Sequence, residues 1–192
     1  NFTSGARLYD TNGNVAVGTL ALVSTSAGDA TAMGAYALNA NTSGTFNAAF
    51  GYSSLRNNTT GGNNSAFGYD ALKNNTTGSG NSAFGIKALT SITTGGDNVA
   101  IGNKAGQSFT TGSANVAIGA YSMQSATGSN NIAIGNGSMT NTTGDYNIGI
   151  GSSVLAQNTS GGSNVAVGFS ALHSNTTGNN NTALGNYALQ AN

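Results

Sequence analysis

The chain has 192 residues, of which 30 are Gly, 29 Asn, 24 Thr and 22 Ser, while only five Lys/Arg and five Asp carry formal charge. Zero net charge, with cations confined to Arg7, Arg56, Lys73, Lys87 and Lys104, excludes the basic footprint of nucleic-acid or anionic-membrane binding. The absence of Cys removes disulfides and thiolate metal sites, and so much Gly, Asn, Ser and Thr argues against a helical domain.

Residues 1–13 follow no pattern beyond a turn-like Asn1-Phe-Thr-Ser-Gly5, and read as an irregular lead-in or cap. From 14 to 192 one unit repeats eleven times. Its strand motif, Asn-x-Ala-(apolar)-Gly, places glycine at Gly18, Gly34, Gly51, Gly68, Gly85, Gly102, Gly119, Gly135, Gly151, Gly168 and Gly185, every interval being 16 or 17 residues. Before each glycine stands a large apolar residue, from Val17, Met33, Phe50, Phe67 and Phe84 through Ile101, Ile118, Ile134 and Ile150 to Val167 and Leu184. Two residues earlier the column is mostly apolar or β-branched, and between the two lies alanine in every copy except Gly149. Alternation with period two predicts a short strand with one large-residue face and one alanine face.

Four residues past the glycine runs a second apolar column: Leu22, Leu38, Leu55, Leu72, Leu89, Met123, Met139, Leu155, Leu172 and Leu189, broken only by Gly106. A turn cluster, Thr-Thr-Gly or Thr-Ser-Gly, follows in most copies and carries a second periodic glycine, such as Gly44, Gly61 and Gly78. A unit of about 17 residues is too short for two helices or a propeller blade, and suits one coil of a parallel β-solenoid with two short strands and two tight corners. Coils stacked at roughly 4.8 Å make a rod about 50 Å long, with the Leu and Ile/Phe columns expected as core ladders. Asn, present at the start of ten of the eleven strands, tolerates left-handed geometry and can bond along its own column.

The motif as it stands in Asn98-Val-Ala-Ile-Gly102, Asn115-Val-Ala-Ile-Gly119, Asn131-Ile-Ala-Ile-Gly135 and Asn164-Val-Ala-Val-Gly168 resembles the head repeats of trimeric autotransporter adhesins. The longer form in Asn175-Thr-Thr-Gly-Asn-Asn-Asn-Thr-Ala-Leu-Gly185 looks more like repeats of phage tail fibres and related surface proteins. The resemblance covers about residues 14–189 and implies left-handed coils assembled as a homotrimer, on a virion tail or a bacterial cell surface. A chain without an initiator Met that stops where a turn should begin is then expected to be a piece of a longer fibre. The column Ala49, Ala66, Ala83, Ala100, Ala117, Ala133, Ala166 and Ala183 is flat enough to meet either a sister chain or the opposite wall of its own coil. With the resemblance included, the sister chain is favoured, which makes these residues the expected trimer interface.

Chemistry-bearing residues are sparse. Asp10, Asp29, Asp70, Asp97 and Asp145 form no pair in adjacent coils, and His173 stands alone. Neither a catalytic constellation nor a metal or cofactor site is expected. Asp70 and Lys87 share a column and are expected to pair across coils; Arg56 and Lys73 stack into a small basic spot beside Tyr52 and Tyr69. Aromatic and polar side chains so placed mark Tyr52, Tyr69, Arg56 and Lys73 as a candidate glycan-binding patch for a host-surface glycan or receptor. The Thr columns, including Thr42, Thr59, Thr76, Thr93, Thr142 and Thr159, suggest an ice-binding face, but adjacency before Gly favours a turn role. Twelve Asn-x-Ser/Thr sequons, among them Asn58, Asn75, Asn141, Asn158 and Asn175, are open to glycosylation only where a host supplies the machinery. The expected function is a structural or adhesive segment of an extracellular fibre, with an ice- or glycan-binding module as the alternative.

Overall fold

A column of identical residues can stack only if each coil returns to the same point one level up. The computed structural model, which describes residues 6–7, 12–23 and 28–191, does so without a helix among those residues. One three-residue strand occurs per repeat: β2 (Val15–Val17), β3 (Thr31–Met33), β4 (Ala48–Phe50), β5 (Ser65–Phe67), β6 (Ser82–Phe84), β7 (Val99–Ile101), β8 (Val116–Ile118), β9 (Ile132–Ile134), β10 (Ile148–Ile150), β11 (Val165–Val167) and β12 (Thr182–Leu184). These eleven pair in parallel, in sequence order and in register, so that Ala66 lies between Ala49 and Ala83. The predicted parallel β-solenoid is therefore the fold. Within the lead-in, β1 (Ala6–Arg7) pairs antiparallel with β2; Asp10 lies outside the described residues.

The second predicted strand is absent. The segment carrying the Leu column is a run of turns, because residues two and four past each glycine adopt left-handed backbone, as in Tyr36 (φ 62) and Leu38 (φ 49) or Asp70 (φ 55) and Leu72 (φ 51). It is still tied coil to coil: Leu55 N–H donates to Ala71 C=O at 3.0 Å, and Asn57 N–H to Lys73 C=O at 2.9 Å. A left-handed Leu costs about 1–2 kcal/mol, and fully burying its side chain returns about 1.5–3 kcal/mol. Leu38, Leu55, Leu72 and Leu89 are fully buried, so the core wins.

The interior inverts one expectation. In every described strand of the stack the middle residue is buried and the two flanking it are not. Alanine therefore points inward against the Leu column, and the Ile/Phe columns point out. The coil is too thin for large residues from both walls. Gly149, the one exception to alanine, shows how tight the space is: an added Cβ would lie 3.0 Å from both Cγ and Sδ of Met139. At Gly106 the missing Leu is replaced by the ring of fully buried Phe109, which would sit 3.1 Å from an added Cβ.

Most polar residues inside are paired along the rod, although Ser53 Oγ, Asn75 Oδ1 and Thr142 Oγ1 are buried without a hydrogen-bond partner among the described residues. Asn98 N–H donates to Asn81 Oδ1 (3.1 Å) and its Nδ2 to Gly112 C=O (2.9 Å), while its own Oδ1 accepts from Asn115 N–H (3.0 Å). The pattern repeats at Asn64, Asn81, Asn115, Asn131, Asn147 and Asn164. A second ladder, Asn41–Asn58–Asn75, ties the opposite corner through amide-to-amide bonds of 2.8 and 2.7 Å.

A third left-handed position precedes the first-ladder Asn, or Ala30 in its place; Asp29, Asn63, Asp97 and Asn130 occupy it, and so does exposed Ala114 (φ 56). Asn and Asp accept this backbone better than Ala does. Ala114→Gly is expected to raise stability by roughly 0.5–1 kcal/mol, even after the greater unfolded-state freedom of Gly. A denaturant midpoint that stays put or falls would contradict this.

Candidate functional site

Since alanine fills the inside, the sheet turns its large residues to the surface. Met33, Phe84, Ile101, Ile134 and Ile150 are 36–42% exposed in the single chain. Phe50, Phe67 and Phe84 stack as a continuous ladder, with ring centroids 4.6 and 4.8 Å apart and planes within 7°. No Lys, Arg or Asp occurs at either outward position of any strand from β2 to β12. The result is one uncharged apolar stripe along the sheet.

The expected trimer interface is corrected by the same geometry. Ala49, Ala66, Ala83, Ala100, Ala117, Ala133 and Ala166 are completely buried within one chain, and Ala183 nearly so. They meet the opposite wall of their own coil and have no surface to offer a sister chain. The sequence did hold a signal for this direction, in the coincidence of Gly149 with the longer Met139.

On the flank next to the sheet the structure brings together the predicted aromatic patch. Tyr52 and Tyr69 stack at 5.3 Å with planes 11° apart, and Tyr36 meets Tyr52 edge-on at 5.7 Å. The Arg56 guanidinium lies 4.8 Å from the Tyr36 ring centre. Lys73 turns away from Arg56 to Asp70, 3.3 Å off in its own coil, so the expected Asp70–Lys87 pair does not form. The left-handed backbone at Asp70 folds the chain back and brings residue 73 closer than the next coil. With Lys73 a third exposed, this pair is worth less than about 1 kcal/mol. Stacking occupies the facing sides of the two tyrosines.

The remaining candidates separate. Asp29, Asp97 and Asp145 sit at corners in different coils, with the Asp145 carboxylate accepting from Ser129 N–H at 2.7 Å. His173 touches only Ser174 Oγ, at 3.4 Å, among the contacts its ring nitrogens make. Among the described residues no three metal-ligating side chains come together, and no helix is long and apolar enough to cross a membrane.

Thr42, Thr59, Thr76, Thr93 and Thr159 each donate their hydroxyl to a threonine carbonyl one coil on, at 2.8–3.1 Å. These hydroxyls hold the turn, as their adjacency to Gly suggested. Thr142 leaves the column: it takes the buried place that Asn58 and Asn75 hold elsewhere, and Thr143 makes the hydroxyl bond to Thr159 instead. The sequon residues Asn58, Asn75, Asn158 and Asn175 are buried with their amides bonded to glycine carbonyls, so the folded chain does not present them for modification. Asn141 is exposed.

The fold defines the chain as a parallel β-solenoid with a single apolar outer sheet. No family model, curated protein or solved structure matches it.

Proposed function

We propose that the chain is a non-enzymatic structural segment of an extracellular fibre, a shaft or head giving reach and attachment at a cell surface, and that it works as a homotrimer. The observation that carries this reading is the outward sheet. Eleven strands at about 4.8 Å, each about 10 Å long, make an apolar face on the order of 500 Å². That is near the upper limit of what soluble monomers leave bare. It holds no charge to desolvate, so a copy of itself is a suitable cover. The resemblance of Asn98-Val-Ala-Ile-Gly102 and its repeats to adhesin heads and phage tail fibres supports three copies and a place on a virion tail or bacterial surface. Sedimentation equilibrium at low protein concentration is expected to give the mass of three chains; a stable monomer overturns the reading.

A second reading, binding of a host-surface glycan by Tyr52, Tyr69, Arg56 and Lys73, is favoured by the exposed Tyr52–Tyr69 stack, with Arg56 held over the adjoining Tyr36 and Lys73 turned to Asp70. Tyr52 and Tyr69 are 44% and 48% exposed. Tyr52→Ala/Tyr69→Ala is expected to abolish glycan-array binding while leaving the fold and the sedimentation behaviour unchanged. Retained binding by the double variant removes this role.

A further inference from the structure

The two outward positions of each strand trade size. Where the third residue is Phe, at Phe50, Phe67 and Phe84, the first is small: Ala48, Ser65 and Ser82. Met33 is matched by Thr31 and Leu184 by Thr182. Where the first residue is a larger β-branched one, at Val99, Val116, Ile132, Ile148 and Val165, the third is Ile or Val and never aromatic. A solvated sheet face imposes no such limit, because water yields to a larger side chain. Compensation in size is the mark of packing in a space of fixed width. The chain itself does not close that space, since Phe84 and Ile101 are 40% and 42% exposed.

We infer that the space is closed by further copies running parallel and coil for coil, and that these size-traded pairs set the register. The inference rests on the self-association proposed above and goes beyond it by naming what fixes the alignment. At a given level every copy brings the same pair, so the Phe67 ring of one chain can lie over Ser65 of its neighbour. The Phe ladder is already stacked at the coil spacing, and so is preformed for this fit. Antiparallel copies would set β4–β6 against β8–β10, placing Phe rings over Ile and Val with no small residue to receive them. A parallel slip of three coils creates the same conflict. Because the repeats are otherwise so alike, backbone geometry alone would not distinguish these alignments; the outward pairs do.

The chain has no Cys, which makes the test direct. Single variants Thr31→Cys, Ser82→Cys and Thr182→Cys are prepared in the full chain, mixed in pairs after dissociation, reassembled and treated with a short thiol cross-linker. Cross-links between like sites are expected, with none between residues 31 and 82, three coils apart, or between 31 and 182. Separately, Ser65→Val and Phe67→Ile should each weaken assembly about tenfold or more, and the double variant should recover it. Oligomers that cross-link between unlike sites, or a double variant no better than the singles, overturn the register inference while self-association stands. A chain that sediments only as a monomer overturns both.

Discussion

Gly61→Ala is expected to be among the most damaging single-methyl changes in the molecule. An added Cβ at this corner would overlap the Gly78 carbonyl oxygen of the next coil and lie 2.7 Å from Asn58 Oδ1 and 2.9 Å from Asn75 Nδ2. Neither the carbonyl nor the amides can step aside, because Gly78 C=O accepts from Asn64 Nδ2 and from Asn75 Nδ2, and Asn75 Nδ2 also donates to Asn58 Oδ1. The glycine is required here by close approach alone, whereas at Gly51 a φ of 130° adds a backbone few other residues adopt. Relief of the overlap means separating two coils locally and losing their bonds, which places the loss at about 4 kcal/mol or more, the level reached by severe core disruption. In a stacked array each unit contacts only its neighbours, so the damage should be local. Hydrogen exchange should show lost amide protection around residues 41–78, with the coils from Val116 onward protected as before. Uniform loss along the rod, or none, would count against this account of the corner.

The second large effect is expected at Asn98→Asp. The amide donates to Gly112 C=O and to Asn81 Oδ1 and accepts from Asn115, all without solvent access. A carboxylate can still accept, but it turns two donated bonds into oxygen–oxygen contacts and buries an uncompensated charge. The cost at neutral pH is roughly 3–5 kcal/mol. Its pH dependence has a definite sign. Burial raises the folded-state pKa of the introduced carboxyl above its unfolded value of about 3.9. Below that value the protonated acid keeps one donor, so the deficit against the unaltered chain is smallest; it widens as pH rises through the folded-state pKa. Paired denaturant titrations at about pH 4 and about pH 7 measure the difference, and a deficit that does not change with pH would show that charge is not its source.

The fold was legible in the sequence because stacking forces every coil to reuse the same solution. Period, strand position, the buried Leu column and the use of Asn as a bonded ladder all follow from residues recurring in register. The direction of the strand was not legible. Alternation in Val99-Ala-Ile101 states that two faces differ without stating which is inside, and the usual preference for burying the larger side chains pointed the wrong way. What decides it is the width of the coil, set by Leu72 and its column on the opposite wall, and width is not a local property of any strand. The same width leaves the alanine column no surface for a sister chain and turns the Ile/Phe columns outward, where the proposed subunit contact lies. The second wall was misread as a strand because Leu at a left-handed position leaves no mark in composition. At the aromatic flank, the columns correctly placed Tyr52 beside Tyr69, but they could not show that Asp70 would turn back to Lys73.

One consequence of the 16- or 17-residue spacing is mechanical. Each coil adds about 5 Å to the rod, yet it stores about 55 Å of extended chain. Tension applied between the two ends of a single chain loads one coil boundary at a time, so that boundaries give way in sequence at nearly the same force. The rod therefore resists small strains stiffly and, once its yield force is passed, lengthens roughly tenfold in even steps, dissipating work at each one before the tether parts.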